Sequence, residues 1–556
     1  MIAKFYNFVT DSVSKPEMRP ELVEARESRA HLRLQYFCSA TLLMVVIIFA
    51  FVRIRLRTAP LERDEGEYAY AGQLMLQGVP PYQLAYNMKL PGTYAAYALM
   101  MAVFGQTVVG IRLGMLVVLL TNTLLLFLLT RRLFGLLAAT VAAANYTLLA
   151  NRLWTMSLDG HATHFIVLAT LAATLLLLRA IDTQSKTILF LSGLCFGVAF
   201  LMKQHGAMFA VFGALFWAWS EWKQSRSWRR IVFGGSIFGG GVALPYLLVC
   251  LVVWYEGVFP QFWFWTIQYG STYQKLLVWR DLWLRFLIAW PWVKRPILTL
   301  LTAGLGLTAL FWSRRGREHA VFVLGFTLFS VIAVCLGFYL RPHYFLVLLP
   351  AVSLLSGLGI SATYEYLQRR NVSSTVMLIP IVFFLITYFS GLLGQRKFLF
   401  EMDPLNVHRQ MHLAHGFAEA AAVADYVKTH TTEQDRIAIL GSEPEIYFLS
   451  GRHSATGYIY TYPLLERQKY ALRMQEEMIH EIEGSRPKLL IVADNQLSWG
   501  WDDWNSSEPR MYIFNWMLDF LSAHYDLVAE VPIEKALGHQ LGNHSCFYIF
   551  RRNDNN

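Results

Sequence analysis

Apolar runs about as long as a bilayer is thick recur along this chain, separated by short segments that carry Arg and Lys. A hydrocarbon core of ~30 Å takes about 20 helical residues to cross, and about eleven stretches come near that length. They are residues 36–52, 108–130, 136–150, 160–178, 188–202, 207–219, 231–253, 297–312, 320–340, 344–364 and 375–393. In lipid every backbone amide and carbonyl has to find a partner within the protein, so these stretches are expected as helices. The short runs blur the count by about two, with about thirteen as the upper bound. The chain is expected to be a polytopic α-helical membrane protein.

Charge placement orients the spans. Only 15% of the residues are charged and 55% are hydrophobic, against about 25% charged in a soluble domain. Arg131-Arg132, Arg179 with Lys186, the run 223–230, Arg314-Arg315-Gly316-Arg317 and Arg369-Arg370 fall on one face, together with the N-terminal arm 1–35. By the positive-inside rule that face is cytoplasmic. The same clusters account for the net charge of +10, so no nucleic-acid partner is implied. Arg53, Arg55 and Arg57 break the rule; they are expected to snorkel or to meet phosphate groups on the outer side. The first span follows a mixed-charge arm with no small-residue cleavage site after it, so it is expected to stay as an anchor.

An odd number of spans carries residues 395–556 to the outer face. Within them 436–441, 488–494 and 546–551 read as strands, and 418–428 and 463–483 as helices, which predicts a soluble α/β domain after a membrane domain at 36–394. The five cysteines show neither a pairing framework nor metal-ligand spacing. The aromatic stretch 254–295, with Trp263, Trp265 and Trp283, suits helices at the headgroup layer, and it carries the cations Lys275 and Arg280.

The first outer loop, 53–107, holds the densest acidic cluster, Asp64-Glu65-Gly66-Glu67-Tyr68. Acids gathered at the edge of a membrane point to a substrate, a metal or a proton. Met88-Lys89-Leu90-Pro91-Gly92 and Val103-Phe104-Gly105 follow, and 90–105 reads as a juxtamembrane helix. Taken together, this stretch resembles the first extracytoplasmic loop of the GT-C class of polyprenyl-phosphate-sugar-dependent glycosyltransferases. That class includes the protein O-mannosyltransferases and the lipid A aminoarabinose transferase. The resemblance implies a GT-C membrane fold and transfer of a sugar from a polyprenyl-phosphate donor, with inversion, to a lipid, glycan or protein acceptor. It also implies a bacterial inner membrane, with the active site and the C-terminal domain outside.

By that resemblance Asp64 is the catalytic base, with Glu65 as its substitute. Asp64 and Glu67 also match a capping box opening a helix that runs to about Gln77. Lys89 matches the position that faces the donor phosphate. Lys203, in Met202-Lys203-Gln204, and Arg341-Pro342-His343-Tyr344 resemble further phosphate-binding positions, although each also suits simple anchoring at a span end. Glu67 and Asp159 are assigned to the sugar or acceptor, Asp159 being also a candidate N-cap. Asp159, His161 and His164 make a partial shell for a divalent metal, the one cofactor the sequence suggests. In the aminoarabinose transferase an acidic residue before the lysine helps bind a metal; here Met88 stands there.

The chemistry suits a single base. A phosphate leaves as a stable anion, so a carboxylate to take the acceptor proton and cations to hold the phosphate suffice. A flippase or transporter of lipid-linked intermediates would place ionisable residues deep within its spans. An envelope-assembly scaffold would not explain acids and cations gathered at one depth.

Overall fold

The computed structural model describes residues 20–274, 279–293, 295–370, 372–412, 415–500, 508–534 and 545–553. The apolar runs are helices. They include α1 (Pro20–Arg55), α2 (Arg63–Leu76), α3 (Gly92–Phe104), α4 (Val108–Phe134), α5 (Leu136–Leu149), α6 (Ala162–Thr183), α7 (Lys186–Met202), α8 (Ala207–Ser225) and α9 (Trp228–Tyr255). Further along come α10 (Ile297–Trp312), α11 (Arg314–Cys335), α12 (Leu349–Arg369) and α13 (Ile379–Leu393). Among the described residues seven helical stretches are long and apolar enough to cross a membrane; α5, α7 and α10 are apolar but shorter.

The helix ends follow from their side chains. Thr107, Ser185 and Ser313 each accept a hydrogen bond from the backbone amide three residues on, at the starts of α4, α7 and α11. Gly135, at φ +89°, makes the tight turn between α4 and α5. Small residues let the spans approach closely: a Cβ on Gly306 of α10 would sit 1.8 Å from the Leu355 carbonyl oxygen of α12. Two expectations change. The second half of the 1–35 arm is continuous with the first span in α1, and the tenth span opens with a 3-10 turn, Pro342–Leu348, before α12.

The C-terminal region carries α14 (Pro404–His412), α15 (Ala420–His430), α16 (Pro444–Ser450), α17 (Ala471–Ser485) and α18 (Glu508–His524). These lie with a four-stranded sheet of order β1-β2-β4-β3, from β1 (Ile437–Leu440), β2 (Leu489–Asp494), β3 (Tyr525–Pro532) and β4 (Cys546–Arg552). The β1–β2 pair is parallel; β2–β4 and β3–β4 are antiparallel. The expected helix over 463–483 is a short turn at Tyr462–Leu465 followed by α17. Strand β3 escapes sequence reading because it lies at the sheet edge, with most of its residues exposed and no buried face to impose an apolar pattern.

This region packs directly onto the segment between α1 and α4. Tyr70 stacks on Tyr447 with centroids 5.1 Å apart, and the Tyr86 amide donates to the Gly457 carbonyl at 2.6 Å. Gly66 lies against α16 so closely that a Cβ there would stand 2.5 Å from the Glu445 amide nitrogen. One apolar cluster runs from Tyr68, Tyr94 and Tyr97 through to Val423, Ile439 and Ile491.

Candidate active site

Helix α2 opens at Glu62, whose side chain accepts from the Glu65 amide while the Glu65 carboxylate accepts from the Glu62 amide. The capping box is therefore Glu62 with Glu65, two residues earlier than the Asp64–Glu67 register read from sequence. Asp64 is thereby left in the first turn with its side chain free of capping. Its side chain is 23% exposed, whereas those of Glu65 and Glu67 are fully buried.

Each acid has different partners. Glu65 is held by both terminal nitrogens of Arg112, which reaches down from α4, and it accepts from the Gly160 amide at 2.5 Å. With its lone pairs engaged and no exposure, Glu65 ties α2 to α4 and to the turn before α6. That geometry leaves it no free face for a substrate, which departs from its reading as substitute base. Glu67 accepts from Lys89 Nζ and from the Tyr94 hydroxyl, each at 2.5 Å. Lys89 Nζ also donates to Asp64 Oδ1 at 2.8 Å and lies 4.6 Å from the Tyr68 ring centroid. Burial by itself raises the Asp64 carboxyl, but the charge and hydrogen bond of Lys89, together with His343 and His161, hold the group well below the ordinary carboxylate range. Tyr460, from the C-terminal region, closes the far side with its hydroxyl 3.3 Å from Asp64 Oδ1.

The loop between α5 and α6 and the turn before α12 complete the surroundings. Atoms of Asp64, His161 and His343 lie within 4.8 Å of one another, and the two imidazoles stack at 4.3 Å. Lys203 caps the C-terminus of α7, with Nζ 4.2 Å from the Tyr344 ring centroid. Burial pushes its ammonium down to about 7, with Asp64 opposing and Lys89 and Arg341 adding to the shift. Arg341 is exposed; its Nη2 lies 3.4 Å from the Tyr273 hydroxyl, beside the Tyr339 ring. Lys89, Lys203, His343 and Tyr344 thus gather round Asp64, with Arg341 at the rim. Lys275 lies outside the described residues.

Asp159 does not cap α6, which starts from His161 without a side-chain cap. Its Oδ2 faces His412 Nε2 of α14 at 3.0 Å. His164 turns away from the carboxylates, its Nε2 meeting the Asp159 backbone oxygen at 3.2 Å. The trio Asp159, His161 and His164 is therefore not a shared shell, because His161 precedes the helix while His164 lies inside it. Arg53 donates to the carbonyls of Ala150, Ser157 and Leu158 and to Asn151 Oδ1, and Arg55 to those of Leu399 and Met402. Those two are internal ties that replace the expected snorkelling or phosphate contact.

The family model described as dolichyl-phosphate-mannose-protein mannosyltransferase matches residues 89–255. An undecaprenyl phosphate-alpha-4-amino-4-deoxy-L-arabinose arabinosyl transferase of Pseudomonas aeruginosa (strain LESB58) is 29% identical over 343 residues, 57% of this chain and 57% of that protein. The protein of the same description from Pseudomonas paraeruginosa (strain DSM 24068 / PA7) is 33% identical over 202 residues, covering 34% of this chain and 35% of that one. The chain thus spans just over half the length of the first of these relatives. The crystal structure of ArnT from Cupriavidus metallidurans bound to undecaprenyl phosphate superposes with a TM-score of 0.53 at 13% identity. The match covers 92% of this chain and 97% of that one. The chain has the GT-C fold.

Within the GT-C fold this multi-pass membrane protein brings the loops before α4 and before α6 and its C-terminal region to one place. Residues missed in the sequence are those that support the cluster: Glu62, Arg112, Tyr460, His408 and His412. Arg112 looked like an ordinary residue near a span end, and no local signal links it to Glu65. His408 and His412 did carry a signal, since a spacing of four puts both on one helix face. Met88 offers no side-chain carboxylate beside Lys89, so the metal position that the aminoarabinose transferase has there does not fit this chain.

Proposed function

We propose that this protein is an inverting glycosyltransferase. It moves a sugar from a polyprenyl-phosphate donor to a hydroxyl or phosphate of a lipid, glycan or protein acceptor on the outer face of the bacterial inner membrane. The observation that carries this reading is the state of Asp64, the accessible carboxylate of the cluster, held ionised by Lys89 and ringed by His343, Tyr344 and Lys203. The similarity to undecaprenyl-phosphate-dependent arabinosyl transferases supports the donor class.

In this reading Asp64 accepts the proton of the acceptor hydroxyl as its oxygen attacks the anomeric carbon. The bond to the donor phosphate breaks on the opposite side, so the configuration inverts. Lys203 and Arg341 stabilise the departing phosphate, with His343 and Tyr344 lining its path. Glu67 fixes Lys89, and Lys89 aims Asp64. Residues 395–556 form an extracytoplasmic unit that roofs the first loop and contributes Tyr460.

The test is transfer in detergent from a panel of polyprenyl-phosphate sugars to envelope lipid and glycan acceptors, with wild type beside Asp64→Asn. Turnover by wild type and loss in the variant is the expected result. No turnover with any donor, or equal turnover by both proteins, overturns the reading.

A further inference from the structure

Around Asp159, four buried side chains converge from two segments far apart in sequence. Asp159 and His161 come from the loop between α5 and α6; His408 and His412 come from one face of α14. Asp159 is 1% exposed, His161 2%, His408 2% and His412 6%. Buried polar atoms normally find partners, yet Asp159 Oδ1, both nitrogens of His161 and His408 Nε2 have no hydrogen-bond partner among the described residues. So many orphaned acceptors and imidazole nitrogens in one place are costly in a protein interior unless something binds them.

The geometry is that of a chelate. His412 Nε2 and Asp159 Oδ2 are 3.0 Å apart, His161 Nε2 and Asp159 Oδ2 3.9 Å. Ligand atoms of Asp159, His408 and His412 all lie within 4.8 Å of one another. Ligands about 2.0 Å from a tetrahedral ion stand about 3.3 Å apart, so small rotations of these side chains close the shell. Glu62 Oε1 lies 3.7 Å from His161 Nδ1. A carboxylate on that side favours the proton on Nδ1 and leaves the Nε2 lone pair facing Asp159, as metal-binding histidines are commonly oriented. A cavity of about 20 Å³ reaches Asp159 and His408.

The neighbouring cations have other partners. Arg112 is engaged by Glu65 and stands 4.0 Å from Asp159 Oδ1, on the oxygen away from His412. Arg53 is saturated by carbonyl oxygens and Asn151.

We propose that Asp159, His408 and His412, with His161 as fourth donor, bind a divalent metal ion of the zinc class. Three imidazoles and one carboxylate suit zinc better than magnesium or calcium, which prefer shells of oxygen. The ion ties α14 to the loop between α5 and α6 and fixes His161, whose ring stacks on His343 beside Asp64. The inference does not depend on the transfer reaction.

The test measures bound metal in the full chain, purified in detergent without added metal, by mass spectrometry. Wild type and His343→Ala should each carry one zinc ion per chain, and the double variant His408→Ala/His412→Ala should carry none. A chelator should lower the melting temperature of wild type and leave that of the double variant unchanged. A His412→Cys variant guards against misfolding in the double variant. Loaded with Co²⁺, it should gain the near-ultraviolet charge-transfer band of a cobalt–thiolate bond, absent from cobalt-loaded wild type. Metal-free wild type, metal retained by the double variant, or a His412→Cys protein lacking that band would each overturn the site. Metal lost in His343→Ala but kept in the double variant would move the ion to Asp64, His161 and His343, and the proposal would fail.

Discussion

The Tyr460 hydroxyl stands 3.3 Å from Asp64 Oδ1, although the two residues are 396 positions apart in the chain. It also donates to the Arg63 carbonyl at 3.1 Å, so the C-terminal region touches the first turn of α2 at two successive residues. Burial pushes the Tyr460 phenol well above its ordinary value, which keeps it a neutral donor. The proposed base is thus held between a cation of its own loop and a phenol from the far end of the chain.

Asp64→Asn is expected to lower transfer by roughly 10²–10⁴ while leaving donor binding near wild type. The pH profile adds a second readout. Because Lys89 holds the Asp64 carboxyl below its ordinary range, wild-type rate should stay level as pH falls towards about 4. In Lys89→Ala burial dominates, the carboxyl rises, and the acid limb should move to higher pH. Overlapping acid limbs in the two proteins would remove Lys89 from this role.

Glu65 should matter to folding more than to chemistry. Glu65→Gln leaves the buried Arg112 guanidinium without its nearest counter-charge, and breaking a buried pair in this way costs about 3–5 kcal/mol. Denaturant unfolding in detergent would measure it. Stability within about 0.5 kcal/mol of wild type would contradict the assignment.

Lys203 should give donor binding a pH dependence. With its ammonium at about 7, it is charged below that value and loses its proton above it. Affinity for undecaprenyl phosphate should therefore weaken as pH rises from about 6 to 8, and Lys203→Arg, charged throughout, should lessen that slope. Arg341→Ala should weaken binding across the whole range, since a guanidinium can hold two phosphate oxygens. Affinity unchanged in Arg341→Ala, with identical slopes for wild type and Lys203→Arg, would reduce both cations to membrane anchors.

Topology is tested by reporter fusions. A fusion after Arg230 should report the cytoplasm and one after Arg396 the outer face, as expected from the basic segments at 131–132, 314–317 and 369–370. The same side for both would reject the orientation.

Much of the membrane part was legible because lipid imposes a strong rule: apolar length and flanking arginines mark the helices. Asp64 and Lys89 were legible as a motif. What sequence hid was partnership across distance. Nothing near Glu65 announces Arg112, nothing near Asp64 announces Tyr460, and the capping register moved because Glu62 competes for the same turn. Edge strand β3 and the break between Tyr462–Leu465 and α17 were missed because exposed segments carry little periodic signal.

Gly66 limits how such proteins can be recombined. A chimaera that seats another relative's C-terminal unit on this membrane part brings a new counterpart of α16 down onto α2. With the Glu445 amide 2.5 Å from where a Cβ would stand, only a hydrogen fits at residue 66. Any exchange therefore has to keep that glycine and the backbone path at 443–445 together, or the graft will ride up and pull Tyr460 off Asp64.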